Sequence, residues 1–312
     1  MPAEEQSNRD GRPAAAVLKS AARAKINLNL HILGKRADGF HDLQSLVVFA
    51  DMGDDVALLP GAPLGLHIDG PFAAGLSPAS NLVLDAAALY LNANPGAILG
   101  HFHLNKQLPV ASGIGGGSAD AAAALRLLDQ VNGDALSEAL HRLAAQLGSD
   151  VPVCVDSATC WLAGRGEILR PVRQFAPLDA VLINPDVPVA TADVFRALAL
   201  PPGSSTGAMP MPDTLGARED ILRLLRATRN DLEGPACQIA PLIGHCLEAL
   251  RTMPDCLLAR MSGSGATVFG LFADAAAARK AAAIIGTSHV DWWVRAVKLG
   301  AAGKEIAVNR PG

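Results

Sequence analysis

The sequence predicts an α+β protein of two lobes, and three observations carry that reading. Stretches of apolar–polar alternation are interleaved with alanine- and leucine-rich helical stretches, so neither an all-helical nor an all-strand fold fits. Residues 109–120, Pro-Val-Ala-Ser-Gly-Ile-Gly-Gly-Gly-Ser-Ala-Asp, run straight into a strong helix former at 121–128. After Gly164 and Gly166 the succession of strands and helices starts again, which sets the junction near residue 170. The expected organisation is a disordered leader at 1–20, an N-terminal lobe at 21–170 and a C-terminal lobe at 171–312.

Taken in order, residues 22–33 alternate, with Ala24, Ile26, Leu28 and Leu30 set against Lys25, Asn27, Asn29 and His31, as in a half-buried strand. Residues 43–50 and 54–59 read as two strands separated by Gly53, and 60–78 as a turn-rich stretch. Residues 81–91 read as helix and 101–104 as a short strand leading to the glycine-rich segment. Helices follow at 119–131 and 135–147, the second stopped by Gly148. Beyond the junction, a strand at 180–183 precedes Asn184-Pro185, and a Pro-, Gly- and Ser-rich bridge at 201–215 reads as a mobile surface loop. Helices near 218–227 and 236–252 lead to a second glycine turn, Ser262-Gly263-Ser264-Gly265. A strand at 266–272, a helix at 274–285 and a strand near 292–298 complete the series, with no internal repeat.

Composition sets the class. The 312 residues, half of them hydrophobic and 18% charged, can bury a large core. A formal net charge of −4 gives no electrostatic footprint for nucleic acid or an anionic membrane. Five cysteines without a C-x-x-C pair fit reduced thiols in a cytoplasmic protein. No apolar run approaches the ~18–20 residues of a membrane span. The opening residues, with Glu4, Glu5, Asn8 and Asp10, contain no apolar core of an export signal. Monomer and homodimer both stay open.

The glycine segment carries the chemistry. A glycine loop that opens a helix can wrap backbone N–H groups around an anion, and the helix N-terminus adds favourable partial charge. Bare backbone lets a polyphosphate approach closely. A nucleotide-phosphate site is the functional reading, and a glycine-rich turn before an ordinary helix is its alternative. Gly117 is followed by Ser118-Ala119-Asp120, not by the Lys-Ser/Thr of a Walker A loop. The G-x-G-x-x-G fingerprint fails because Ser118 stands where its third glycine belongs, and the motifs of protein kinases are absent. His101 and His103 share one strand face, but with no third ligand nearby in sequence they read as solvated histidines, and no metal ligand is assigned.

Three separated segments then line up with one family. Ala24-Lys25-Ile26-Asn27-Leu28 with Gly39-Phe40-His41, the loop at 109–120, and Met261-Ser262-Gly263-Ser264-Gly265-Ala266-Thr267 resemble the three motifs of the GHMP small-molecule kinases. The resemblance spans roughly residues 21–300 and implies a two-lobed GHMP kinase fold, with an N-terminal ribosomal-protein-S5-like, ATP-binding lobe and a C-terminal ferredoxin-like lobe. The first segment, with Gly148-Ser149-Asp150-Val151-Pro152 and Arg229-Asn230-Asp231-Leu232, is most similar to the branch acting on a cytidyl-methylerythritol. The implied reaction uses ATP with Mg²⁺ to phosphorylate the 2-hydroxyl of 4-diphosphocytidyl-2-C-methyl-D-erythritol in the non-mevalonate isoprenoid pathway. The alternatives are a homoserine or mevalonate-type kinase and a non-catalytic metabolite sensor on the same fold. Phe40 stands where the family often has Tyr, and Ala119 where it often has a second Ser.

The resemblance also implies roles. Asp150, which alone would read as a helix N-cap, becomes the general base for the acceptor hydroxyl. Lys25, otherwise a solvated strand lysine, becomes the cation that orients Asp150 and stabilises the transferring phosphoryl group. Asn27 lies on the same strand face as Lys25 and would hydrogen-bond the acceptor. Phe40, which alone would read as core, becomes one plate of a cytosine sandwich with Phe195 as the second. His41 would meet the cytidine edge and Thr191 the methylerythritol part. The nucleotide would be held by Pro109, Val110, Ala111, Ser112, Gly113, Ile114, Gly115, Gly116, Gly117, Ser118 and Ala119, by Ser262, Gly263, Ser264 and Gly265, and by Asn81 on the adenosine side.

Overall fold

The structure is a computed structural model that describes residues 16–201, 203–204, 207–300 and, for their backbone, 306–309. Residues 1–15 of the expected leader and positions 202, 205 and 206 of the expected surface loop lie outside the described residues. The N-terminal part contains β1 (Val17–Asn27), β2 (His31–Lys35), β3 (His41–Pro60), β4 (Gly65–Asp69), β5 (Gly100–Asn105), β6 (Cys160–Gly164) and β7 (Ile168–Pro171). Its helices are α1 (Leu82–Ala93), α2 (Gly116–Val131), α3 (Leu140–Leu147) and α4 (Val151–Asp156). The C-terminal part contains β8 (Gln174–Phe175), β9 (Leu178–Asn184), β10 (Thr214–Leu215), β11 (Cys256–Met261), β12 (Val268–Phe272), β13 (Trp293–Leu299) and β14 (Ile306–Asn309). With them go α5 (Thr191–Ala197), α6 (Arg218–Arg226), α7 (Glu233–Ile239), α8 (Leu242–Arg251) and α9 (Ala275–Ser288).

Among the described residues, one 12-stranded sheet runs through both parts in the order β11-β12-β9-β13-β3-β1-β14, with β2, β5 and β6 also on β3, β4 on β5 and β7 on β6. Strand β3 is the spine. Its first half pairs with β2 and β6, its second half with β5, and β1 runs antiparallel along most of it. The C-terminal strands join through Leu299 opposite Ala50, next to a bond from Gly300 N to Phe49 O of 2.9 Å. Helix α2 lies against β1 and β3, and its run of small alanines, all buried, lets the helix axis approach the sheet closely. Arg126 on that helix is buried too. Its guanidinium is satisfied by Ser20 Oγ and by the carbonyls of Ala21, Cys154 and Val155, which fastens α2 to β1 and to the end of α4.

Several expectations need correction. The stretch at 22–33 is two strands, because the chain leaves the ladder at Leu28–Leu30 so that Leu30 can pair in parallel with Asn230. Its polar face is not half-exposed: Lys25, Asn27, Asn29 and His31 are all buried. The two strands expected at 43–50 and 54–59 are one. Gly53 does not interrupt it but lets β1 and β3 cross closely, since a Cβ there would run into the Ala22 carbonyl. The turn-rich stretch contains β4, and α3 begins only at Leu140. The helix expected at 236–252 is α7 and α8, broken at Pro241, which has no N–H to continue a helix. Strands β6, β7 and β11 and the short α4 had no distinct sequence signal. Helix α1, β5, β9, α6, α9 and β13 lie where expected, and Asn81, expected to open α1, is its N-cap.

Candidate active site

A cleft of about 1310 Å³ is lined by residues of both glycine turns, by β1 and by the starts of α2, α4 and α5. Sites for one small ligand usually measure ~300–1,000 Å³. The cleft therefore has room for two.

One wall is the start of α2. Gly115 is its N-cap at φ 68°, a left-handed conformation that disfavours any residue with a Cβ, and no side chain caps the helix. The first intrahelical bond of that turn runs from Ala119 N to Gly115 O at 2.8 Å. The N–H groups of Gly116, Gly117 and Ser118 precede it, and all three residues line the cleft. Gly113 is glycine for a different reason: a Cβ there would strike the Gly265 carbonyl of the second turn. Conversely, a Cβ on Gly263 would lie 3.1 Å from Gly113 O. The two turns pack back to back and are stitched by Thr267 N to Ser112 O at 3.1 Å and Ser262 Oγ to Gly113 O at 3.3 Å. Asn230 clamps the second turn, its Nδ2 donating to Met261 O and Gly263 O at 2.8 Å each.

Of the nucleotide set, Ala111, Ser112, Gly113, Gly115, Gly116, Gly117, Ser118, Gly263, Ser264 and Gly265 line the cleft. Pro109, Val110, Ile114, Ala119, Ser262 and Asn81 do not. Ile114 and Ala119 belong to the hydrophobic core, Pro109 is buried and Val110 is exposed outside the cleft. Ser262 is buried with its Oγ accepting from Asn27 N at 3.0 Å. Asn81 caps α1, its Oδ1 accepting from Val83 N at 3.0 Å. Some loop residues face the cleft and others anchor the loop, a division that composition alone does not resolve.

Lys25 and Asp150 meet beside this wall. Lys25 Nζ lies 2.7 Å from Asp150 Oδ2, with the lysine side chain 5% exposed and the aspartate 41%. Asp150 does occupy the N-cap position of α4, but its side chain makes no capping bond, so the ion pair and not the cap directs it. A Cβ on Gly115 would come within 3.3 Å of Lys25 Cβ, so the lysine passes directly under the loop. Two residues along β1, Asn27 donates from Nδ2 to Ser45 Oγ at 2.7 Å, while its buried Oδ1 has no partner. A buried acceptor left open beside a cleft costs free energy unless a ligand donates to it.

The far end is aromatic and basic. Phe40 is 54% exposed, which removes the core alternative, and the Arg165 guanidinium lies 4.9 Å from its ring centroid. Phe195 packs on His41 at 4.9 Å with the rings 32° apart. Phe40 and Phe195 are thus both at the cleft but not in ring contact with each other, and each already has a different planar neighbour. Burial, and then the nearby Lys35 charge, lower the His41 pKa, so a neutral imidazole faces the cleft at neutral pH. Thr191 Oγ1 lies 2.8 Å from Ser264 Oγ and links this end to the second glycine turn. Lys35 and Arg165 also line the cleft, the Lys35 charge acting on His41 and the Arg165 charge on Asp38. The sequence reading missed both. Arg165 sits between two glycines in the β6–β7 turn, a spacing that signals a turn but not where its side chain goes.

Beneath the loop lies a second group without an earlier expectation. Lys106 Nζ is 2.5 Å from Asp54 Oδ2 and 2.9 Å from Asp120 Oδ2, all three side chains being buried. Asp54 Oδ1 accepts from Gln107 N at 2.6 Å and Leu108 N at 2.8 Å, tying β3 to the segment that enters the glycine loop. Burial pushes Asp120 up to about 8 against the pull of Lys106, with the neighbouring Asp54 charge adding to the rise. Burial beside a second carboxylate thus favours the protonated form of Asp120, while Lys106 opposes it.

Comparison with known proteins agrees with this geometry. Residues 81–158 match the model of the GHMP kinases N terminal domain and residues 217–290 that of the GHMP kinases C terminal domain. The chain is 51% identical over 290 residues to a 4-diphosphocytidyl-2-C-methyl-D-erythritol kinase of Methylorubrum extorquens, covering 91% of this chain and 99% of that one. A crystal structure of a 4-(cytidine 5'-diphospho)-2C-methyl-D-erythritol kinase superposes with a TM-score of 0.74 at 32% identity, covering 91% of this chain and all of the other. A homoserine kinase structure from Cytophaga hutchinsonii, at 18% identity and a TM-score of 0.64 over 98% of this chain and all of the other, shares the fold.

Proposed function

This chain belongs to the 4-diphosphocytidyl-2-C-methyl-D-erythritol kinases of the GHMP superfamily, and on that premise we propose how its cleft carries out the transfer. The enzyme phosphorylates the 2-hydroxyl of 4-diphosphocytidyl-2-C-methyl-D-erythritol at the expense of ATP, a step of the non-mevalonate isoprenoid pathway.

The polyphosphate of MgATP binds at the open N–H groups of Gly116, Gly117 and Ser118, where the helix dipole and bare backbone both favour an anion. Mg²⁺ arrives with the nucleotide. Among the described residues, the acids lining the cleft are Asp150, held by Lys25, and Glu167, held by Arg165 N, so no protein carboxylate cage is built for the ion. The Ser118 hydroxyl suits it as one oxygen donor, in keeping with magnesium that keeps waters and phosphate oxygens as its main ligands. The acceptor hydroxyl lies against Asp150, which orients it and takes its proton, a contribution typically worth about 10²–10⁴ in rate. The Lys25 ammonium stabilises the acceptor oxygen and the charge that spreads over the moving phosphoryl group. Asn27 Oδ1 accepts from a second hydroxyl of the acceptor. Lys35 and Arg165 receive the acceptor's diphosphate, and cytosine stacks against the open face of Phe40 with the Phe195–His41 pair across from it. A division into 21–170 and 171–312 then puts the nucleotide loop on one lobe, the second glycine turn on the other, and the cleft between.

The observation that carries this reading is the Lys25–Asp150 pair set directly beside an uncapped helix N-terminus in one two-ligand cleft. The test is ADP release by purified protein offered the cytidyl substrate, homoserine and mevalonate in parallel. Rapid ADP formation with the cytidyl compound alone is expected. Equal turnover with either other acceptor contradicts the assignment, and no turnover with any of them favours a sensor. The loop is tested by Gly117→Ala, because a Cβ there meets only Leu82 at 3.7 Å, whereas Gly115→Val would also press on Lys25. The expected result is a raised KM for ATP with unchanged thermal stability.

A further inference from the structure

On the outward face of the N-terminal sheet, β4 and β5 run parallel in a register that sets His67 beside His103 and Asp69 beside Asn105. Phe102 and Leu104 point into the core, so His101, His103 and Asn105 all face outward. His103 Nε2 lies 2.8 Å from Asp69 Oδ2, and the imidazoles of His67 and His103 stack with centroids 5.2 Å apart. One ligand atom from each of the three residues lies within 4.8 Å of the other two. The second oxygen of Asp69 is held by Asn105 Nδ2 at 2.7 Å, which aims Oδ2 at the histidines.

We propose that His67, Asp69 and His103 form a binding site for one divalent transition-metal ion of the zinc class, separate from the catalytic cleft. None of the three lines that cleft. Two imidazole nitrogens and one carboxylate oxygen are the donor set that suits zinc, cobalt or nickel, whereas calcium and magnesium take oxygen donors throughout. His103 and Asp69 have side chains 46% and 45% exposed, so the solvent side leaves a position for water. Asn105 supplies the outer hydrogen bond that orients a ligating carboxylate. His101 is left out because its neighbour in the register is Gly65, which brings no donor. The sequence showed only the His101–His103 alternation, since the completing ligands come from a strand more than thirty residues earlier. Among the described residues strand β4 pairs only with β5, so an ion held between the two would fix that edge just where the chain proceeds to Lys106 and the glycine loop.

The experiment is a titration of the full-length, chelator-stripped protein with ZnCl₂ against a chromophoric chelator, repeated with CoCl₂ for its absorption spectrum. One equivalent is expected to bind, to raise Tm, and to give a cobalt spectrum without a thiolate charge-transfer band. A His67→Ala/His103→Ala protein should lose the site and its Tm increment while keeping kinase activity. Asn105→Ala should weaken binding by about 10–100-fold, the usual scale for an outer hydrogen bond. Because the histidines are exposed, a circular dichroism spectrum should show both variants folded. Zinc binding equal in wild type and the double variant, no binding in either, or a thiolate band assigning the ion to the cysteines overturns the proposal.

Discussion

Two lysine–aspartate groups lie within reach of the same glycine loop, and their difference separates chemistry from scaffold. Lys25 and Asp150 form a single pair whose aspartate is 41% exposed and faces the cleft. Lys106 is shared between Asp54 and Asp120, with side-chain exposures of 4%, 0% and 4%. In the sealed group, the Asp54 carboxylate is saturated by Lys106 and two backbone N–H donors, so it has nothing left for a substrate. In the open pair, Asp150 takes one hydrogen bond, from Lys25, and keeps an edge open to the cleft. A carboxylate that can still accept is positioned for proton transfer. One that cannot holds the loop in place.

The largest expected effect breaks the comparison at its open end. Asp150→Asn keeps the shape and should lower kcat by about 10²–10⁴ with Tm almost unchanged. A Tm loss comparable to that of a core variant would move Asp150 into the scaffold class. At the sealed end the expectation reverses. Asp54→Ala strips Lys106 and the Gln107 and Leu108 N–H groups of a shared buried acceptor, and breaking a buried pair costs about 3–5 kcal/mol. Chemical denaturation should show that loss, and any residual activity should scale with the folded fraction.

A smaller effect sharpens the contrast between the two ends of the cleft. If Phe40 stacks on cytosine, its ring contributes about 1–3 kcal/mol, the scale for bases on aromatic side chains. Phe40→Ala should then weaken cytidyl-substrate binding by roughly 10–100-fold and leave an ATP analogue bound as before, and Phe40→Tyr should be nearly silent. Titration with CDP and with the analogue, each alone, reads the two affinities. A parallel fall in both counts against stacking.

Per pH unit, the smallest effect comes from the proton on Asp120. Its folded pKa is raised from 3.8 to about 8, so the folded state holds a proton that the unfolded state has released. The stabilisation is fully present below the unfolded value and is lost as pH rises through the folded one, with a slope of at most about 1.4 kcal/mol per pH unit for one proton. Unfolding free energy measured between pH 5 and 8, a window set by those two values, should fall for the wild type and flatten for Asp120→Asn. Identical slopes would remove the Asp120 proton from the account.

What the sequence made legible follows chain locality. The glycine loop and α2 are contiguous, and their composition specifies a helix start that needs bare backbone. Lys25 and Asp150 could be assigned from separate motifs, though nothing local shows that they touch across 125 positions. The Asp54–Lys106–Asp120 group joins β3, the end of β5 and α2, so no window of sequence contains it. Strand β4 was hidden in a turn-rich stretch because a five-residue edge strand with only Leu66 fully buried lacks a clear apolar period. Gly53 looked like a strand break because a glycine that separates two chains reads the same as one that ends a strand.

The most direct measurement is a double-mutant cycle on the open pair, with single-turnover rates for wild type, Lys25→Ala, Asp150→Asn and the double variant. Two groups acting on one transition state lose their partner's benefit together. The account therefore predicts that the double variant loses distinctly less than the product of the two single losses, with folding intact in all four proteins. Full multiplicative loss would mean that Lys25 and Asp150 act independently, and would contradict the claim that the open pair is the catalytic unit.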